Sequence, residues 1–201
     1  MVKDAPRAWQ RMLSGRRLDL IDPSPLDVEI ADIAQGLARV ARWNGQTHGP
    51  EIFSVAQHSL LVEALFGAEA PEAPQSQRLA ALLHDAPEYV IGDMISPFKA
   101  AVGGNYKEVE ARLLSAIFLR FGLPATMEPA LAKAIKAADR AAAYFEATAL
   151  AGFAAAEAKK FFGAPKVASR AIAAYLQPWR PREAQERFLA RFHDLDSAAR
   201  A

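Results

Sequence analysis

The chain contains four histidines, His48, His58, His84 and His193, and two of them stand where an imidazole is costly. His84 and Asp85 directly follow the apolar run LAALL (Leu79–Leu83), at what reads as the inward end of a helix. Burying an imidazole beside a carboxylate is expensive unless they are paired or bound to a metal. Neighbouring residues on a helix lie about 100° apart, so such a dipeptide can grip an ion from two directions. Taken alone it reads sooner as a salt-linked pair at a helix end than as a metal site. His58 shares a face with Leu61, Val62 and Leu65, a pattern that also describes a hydrogen-bonded core histidine. Asp139 shares a face with Ala132, Ile135, Ala142 and Ala143, and a buried aspartate without a cation is the case proteins avoid. One divalent ion accounts for all four residues, whereas the alternative needs a separate partner for each.

The segments SVAQH around His58, LLHDAPE around His84 and AADR around Asp139 resemble the H…HD…D signature of the HD superfamily of metal-dependent phosphohydrolases. The likeness runs from about Ile30 to Glu146. It is strongest to the small bacterial HD proteins of the 5'-deoxynucleotidase type, which remove phosphate from deoxyribonucleoside monophosphates. Those proteins carry an Arg-Trp pair upstream, matched by Arg42-Trp43, and an HDxxE followed by Gly-Asp and a proline-containing loop. His84, Asp85, Glu88, Gly92, Asp93 and Pro97 match that pattern, and Tyr106-Lys107-Glu108 is a further similarity. The N-terminal GRRLDLIDP and His48 ahead of SVAQH are more like the prophage-type HD proteins.

The resemblance implies metal ligation by His58, His84, Asp85 and Asp139. Binuclear HD enzymes need further histidines between the HD pair and the last aspartate, and none lies between His84 and His193. One ion with two nitrogen and two carboxylate ligands follows. Such a set suits Mn²⁺, Co²⁺, Ni²⁺ or Mg²⁺ and admits Zn²⁺. Glu88, about one turn beyond Asp85 if helical geometry survives Pro87, is placed to move a proton to or from water or the leaving alkoxide. By the same resemblance Asp93 accepts a hydrogen bond from the sugar 3'-OH, and Trp43 packs on the sugar and disfavours a 2'-OH. Arg42 clamps the phosphate through two parallel hydrogen bonds, with His48 and Lys99 as outer phosphate contacts. A surface glutamate, an ordinary Gly-Asp turn, a solvated arginine and a core tryptophan are the plain alternatives. His193-Asp194 repeats the dipeptide on an amphipathic tail without a following acid, and reads as a surface pair. The implied reaction is hydrolysis of a (deoxy)nucleoside 5'-monophosphate. The alternatives are an HD hydrolase of nucleoside triphosphates or guanosine polyphosphates, whose substrates need several basic groups, and a non-catalytic nucleotide-binding module that keeps its metal for structure.

These residues must be held by helices, because helical periodicity dominates the chain. Residues 26–43 place Ile30, Ile33, Leu37 and Val40 on one stripe and Asp32, Gln35, Arg39 and Arg42 opposite. A second helix opens on a capping box, Ser54 with Gln57. QSQRLAALLHD forms a third, which Pro87 should kink or stop near Ala86, since proline lacks an N–H and clashes with the carbonyl four residues back. Further helices are predicted from about Tyr106 to Phe121, from Pro129 towards Phe153, and over REAQERFLARFHDL. Only RRLDLI suggests a short N-terminal strand or hairpin. The expectation is an all-α, single HD-domain bundle over residues 1–201, with a motif-bearing core at about 26–153 and a C-terminal helical extension at about 154–201.

Composition agrees with a globular chain: 52% hydrophobic and 23% charged residues among 201. A formal charge of +1 gives no sign of a nucleic-acid coat, so an anionic substrate must be held by a few local groups. The lack of cysteine excludes disulfides and thiolate chemistry and fits a reducing compartment. No secretory leader is visible, and the most apolar stretch, AAAYFEATALAGFAAAE, carries Glu146 and is too short to span a bilayer. The expectation is a cytoplasmic enzyme with a small nucleotide substrate, no nucleic-acid polymer, no membrane and, by default, a homodimeric state.

Overall fold

The computed structural model describes residues 7–95, 105–165 and 169–199. It is all-helical apart from a small N-terminal hairpin. The centre is α2 (Val55–Glu69; α1 is Ile30–Leu37), which buries residues around almost its whole circumference, among them Val55, Leu61, Val62 and Phe66. A helix apolar on all sides belongs in the interior. It is covered by α3 (Gln75–Leu82), α6 (Pro129–Ala149) and α8 (Pro181–Ala199). The remaining helices are α4 (Glu88–Ile91), α5 (Asn105–Arg120) and α7 (Ala155–Phe162).

Ser54 caps α2 by accepting from Gln57 N at 3.3 Å, a bond worth about 1 kcal/mol. The reciprocal half of the predicted capping box is not made. The Gln57 amide instead donates to Tyr175 O (2.8 Å) and Gln177 O (2.7 Å) and accepts from Trp179 N (2.9 Å). It thereby fastens the end of the 3-10 segment Ser169–Leu176 and the loop after it onto the start of α2.

The first helix is shorter than the predicted 26–43. A Ser24-capped 3-10 turn (Pro25–Asp27) precedes it, and Val28 is extended, its carbonyl taken by Arg120 Nε of α5 at 2.9 Å. Beyond Leu37 the backbone leaves the helix to pair with the start of α2, Arg42 N with Phe53 O (2.8 Å) and Val55 N with Val40 O (3.0 Å). Asp32, expected on the polar face, is 5% exposed, because the hairpin turn covers it and Ser14 donates to it from both backbone and side chain. The hairpin pairs β1 (Trp9–Arg11) antiparallel with β2 (Arg17–Asp19) and buries Leu18. RRLDLI thus supplies only the second strand.

Pro87 acts earlier than predicted. α3 ends at Leu82, because the N–H that would close the turn onto Leu83 O is missing at Pro87. Leu83 O accepts Ala86 N instead (3.0 Å), Asp85 O accepts Glu88 N (3.0 Å), and the tight turns run directly into α4. Here α1 passes so close that a Cβ on Gly36 would lie 2.7 Å from Tyr89 O. Gly92, with φ +77°, closes α4 in the left-handed region and redirects the chain into Asp93.

One apolar cluster runs from Leu18 to Leu195. The predicted C-terminal extension belongs to it: α8 buries Ala184, Phe188, Phe192 and Leu195 and packs on α3, α1 and α2. Among the described residues no helix is long and apolar enough to cross a membrane.

Candidate active site

His58, on the first turn of α2, is fully buried. Its Nδ1 lies 2.6 Å from Glu146 Oε1 of α6, and its Nε2 lies 3.4 Å from both Asp85 Oδ2 and Asp139 Oδ1. His84 bonds through Nδ1 to Ala81 O (2.9 Å) and brings Nε2 within 3.3 Å of the same Asp85 oxygen. The two imidazoles stand 5.4 Å apart. A carbonyl can only accept, so His84 carries its proton on Nδ1, and the carboxylate of Glu146 asks the same of His58. Both Nε2 atoms are buried without a hydrogen-bond partner. Donor atoms of His58, His84 and Asp139 all lie within 4.8 Å of one another. Buried, unpartnered ring nitrogens facing carboxylates are the arrangement expected of a cation site, and these residues fit a divalent ion.

The electrostatics agree. Burial and the Arg42 guanidinium both work against a charged His58, yet the carboxylates of Glu146, Asp139 and Asp85 outweigh them, so that without an ion His58 takes up a second proton well above the ordinary histidine range, where a cation would stand. Burial would likewise raise Asp85 and Asp139, but His84 and His58 keep Asp85 well below the usual carboxylate range, and His58 does the same for Asp139. Lys136 Nζ, on the exposed side of α6, lies 2.6 Å from the other oxygen of Asp139.

Arg42 reaches into the same cluster. Its NH1 lies 3.4 Å from Asp93 Oδ1 and 3.9 Å from Asp85 Oδ2, and its NH2 lies 3.6 Å from Glu146 Oε2. Burial opposes its charge, but Glu146, Asp93 and Asp85 keep it firmly protonated. Trp43 donates from Nε1 to Glu146 Oε2 (2.9 Å) and packs its indole on Phe153 and Phe162. Trp43 and Asn44 both adopt left-handed backbone, φ 57° and 49°, which costs of order 1–3 kcal/mol for each residue that is not glycine. Glu88 is 2% exposed in the first turn of α4. The Tyr106 phenol is pushed up by burial and by the carboxylates of Glu110, Glu88, Asp93 and Asp85.

Seven of the residues singled out in the sequence therefore come together: His58, His84, Asp85, Asp139, Arg42, Asp93 and Trp43, with Glu88 beside them. His48 does not. It is exposed, bonds through its backbone N–H to Leu150 O (2.9 Å), and lines a separate cavity of about 560 Å³ with Glu51, Leu176 and Pro178. Lys99 and Pro97 lie outside the described residues. His193 and Asp194 are exposed on α8. Glu146 is the participant the sequence reading missed. It had registered only as a charge in an alanine-rich run, although it stands two turns beyond Asp139 on the same face of one helix.

A model of the family described as 5'-deoxynucleotidase YfbR-like matches residues 32–192. An uncharacterized protein of Rhodobacter capsulatus is 58% identical over 190 residues, 94% of this chain and 96% of its own length. YfdR of Escherichia coli is 34% identical over 113 residues, 56% of each chain. Among solved structures, the HD phosphohydrolase DatZ of cyanophage S-2L, bound to dA and one catalytic Zn²⁺ ion, superposes with a TM-score of 0.50 at 22% identity, covering 85% of this chain and 97% of its own; that likeness speaks for the fold. The family match spans every residue of the buried His–Asp cluster described above, and on that ground the chain belongs to the YfbR-like 5'-deoxynucleotidase family, within the HD superfamily of metal-dependent nucleotide phosphohydrolases.

Proposed function

We propose that the protein hydrolyses the phosphomonoester of (deoxy)nucleoside 5'-monophosphates with one divalent ion held by His58, His84, Asp85 and Asp139. The observation that carries this reading is the pair of buried, unpartnered Nε2 atoms on His58 and His84, set 3.3–3.4 Å from carboxylate oxygens. The surplus of acid supports it: Asp85, Asp93, Asp139 and Glu146 surround a single buried guanidinium, Arg42. Two nitrogens and two carboxylates suit Mn²⁺, Co²⁺, Ni²⁺ or Mg²⁺, and the Zn²⁺ held by DatZ puts zinc among the ions to try. Such an ion would supply Lewis acidity to a phosphoryl oxygen and make water acidic enough to lose a proton near neutral pH.

The chain's own groups do the rest in this reading. Arg42, anchored by three carboxylates, presents a fixed charge to the phosphate and can exchange one of those partners for a phosphate oxygen. Glu88, shielded from solvent, accepts a proton from the attacking water or returns one to the leaving alkoxide. Asp93 orients Arg42 and accepts from a sugar hydroxyl, and the half-exposed indole of Trp43 offers the sugar an apolar wall. Lys99 is retained as an outer phosphate contact, whereas the exposed setting of His48 beside a separate cavity gives that residue no support. A free nucleotide substrate and a chain without cysteine fit a cytoplasmic enzyme.

The test is a screen of the purified protein against deoxy- and ribonucleoside monophosphates, triphosphates and guanosine polyphosphates, with each candidate ion added in turn. Ion-dependent phosphate release is expected from deoxynucleoside monophosphates, faster than from their ribo counterparts. Turnover confined to triphosphates or polyphosphates would move the protein to another substrate class. Stoichiometric ion binding with no turnover would make it a non-catalytic module.

A further inference from the structure

Glu146 has no part in the chemistry just described, yet it is a fully buried acid of the same cluster with three partners. Its side chain is fully buried and its two oxygens serve different partners. Oε1 lies 2.6 Å from His58 Nδ1, while Oε2 accepts from Trp43 Nε1 at 2.9 Å and lies 3.6 Å from Arg42 NH2. One carboxylate on α6 therefore touches both an ion ligand and the arginine–tryptophan pair on the substrate side. It also bonds to the indole of a residue in left-handed backbone, a conformation that persists only when its surroundings impose it.

We propose that Glu146 is the positioning residue that couples the ion site to the substrate clamp. One oxygen fixes His58 with its proton on Nδ1 and its lone pair on Nε2, the arrangement an imidazole needs to bind a metal. The other oxygen fixes Trp43, and with it the turn that carries Arg42. Because one rigid group holds both, disorder at either side reaches the other, and ion affinity and nucleotide affinity become linked in both directions. This inference rests on the function proposed above and assigns Glu146 no contact with the reacting atoms.

Glu146→Gln tests it. A carboxamide keeps the shape but has a single acceptor oxygen, so it cannot serve both His58 Nδ1 and Trp43 Nε1. Its NH2 group must face one of them, either driving the His58 proton to Nε2 or releasing the indole. Zn²⁺ binding is followed by calorimetry, KM is measured for a deoxynucleoside monophosphate, and the thermal midpoint of the metal-free protein reports on the fold. The expected result is a Zn²⁺ affinity lowered 10–100-fold, the usual effect of losing a group behind a metal ligand, with a raised KM and the fold retained. Zn²⁺ affinity and KM both within twofold of wild type would overturn the inference. Should the variant fail to fold, imidazole ¹⁵N spectra of the Zn²⁺-loaded wild type decide: His58 protonated on Nδ1 supports the inference, and protonation on Nε2 overturns it. A wild type that neither binds Zn²⁺ nor hydrolyses a deoxynucleotide overturns the proposed function and this inference together, whereas a normal wild type beside an unaffected variant overturns this inference alone.

Discussion

Two buried clusters of charge lie along α2, and they are built on opposite principles. Towards the C-terminal end, Glu63 is 3% exposed and meets two arginines, Arg78 NH2 at 2.6 Å from α3 and Arg191 NH2 at 2.7 Å from α8. Both of its oxygens are engaged, since Arg191 Nε adds a bond to Oε2 at 3.0 Å. That cluster sets two cations on one carboxylate, and its positive side is a quarter open to water. At the other end His58 meets Asp85, Asp139 and Glu146 with one arginine nearby, and two imidazole nitrogens are left over. The first cluster ties three helices together. The second holds an excess of carboxylates and two unpartnered imidazole nitrogens, which a divalent cation would satisfy together. The difference teaches where to look for function in a helical bundle: burial of charge is common to both ends, and an excess of acid beside buried, unpartnered imidazole nitrogens belongs to one.

The comparison breaks most decisively at Asp85. One of its oxygens lies within 3.4 Å of Nε2 on both imidazoles, so Asp85→Ala should reduce bound metal to background by elemental analysis and abolish turnover with it. Undiminished occupancy would remove the His58 cluster from the reading of an ion site. Glu88→Gln sharpens the same point by separating holding an ion from using it. Occupancy and nucleotide binding should survive while kcat falls by about 10²–10⁴, the contribution of a positioned acid or base. A wild-type rate would remove Glu88 from proton transfer.

The Glu63 cluster should answer in stability. Glu63→Ala strands two arginines, and breaking a buried pair costs roughly 3–5 kcal/mol; the lower end applies because Arg78 and Arg191 can turn to water. Denaturant unfolding should show that loss, with kcat per folded molecule unchanged at 25 °C. The smallest effect expected is stabilisation by ligand. Adding a divalent ion at a hundred times its Kd should stabilise the wild type by about 2.7 kcal/mol and leave Asp85→Ala unmoved, measured as the shift in thermal midpoint. Equal stabilisation of both proteins would mean the ion binds elsewhere.

Much of the cleft was legible because the expensive residues announce themselves. His58, the His84-Asp85 pair and Asp139 each interrupt an apolar helical face, and the structure brings all four to one place. Glu146 was missed because it stands in an apolar, alanine-rich run, and a lone acid in such a run reads as a mere limit on hydrophobicity. Its phase relative to Asp139 was the available signal. The ends of α1 were not legible, since they are set by partners far along the chain. Arg120 takes the carbonyl of Val28, and Phe53 takes the amide of Arg42. The same holds for Gln57, whose local capping role gave way to three bonds with residues 175–179. β1 has three residues and one exposed face, too little for any alternation to register.

That Gln57 clamp also sets an order of events in time. Residue 57 stands next to His58, and its partner Trp179 comes 122 positions later, while Glu63 waits for Arg191 across 128. A chain emerging from the ribosome will have produced every residue of the cleft by Glu146 and still lack the loop and helix that close around α2. Contacts of such long sequence separation form late and slow folding. The cleft should therefore become competent only after synthesis has passed residue 191, which makes α8 the last step of assembly and truncations within it far more damaging than their distance from the chemistry suggests.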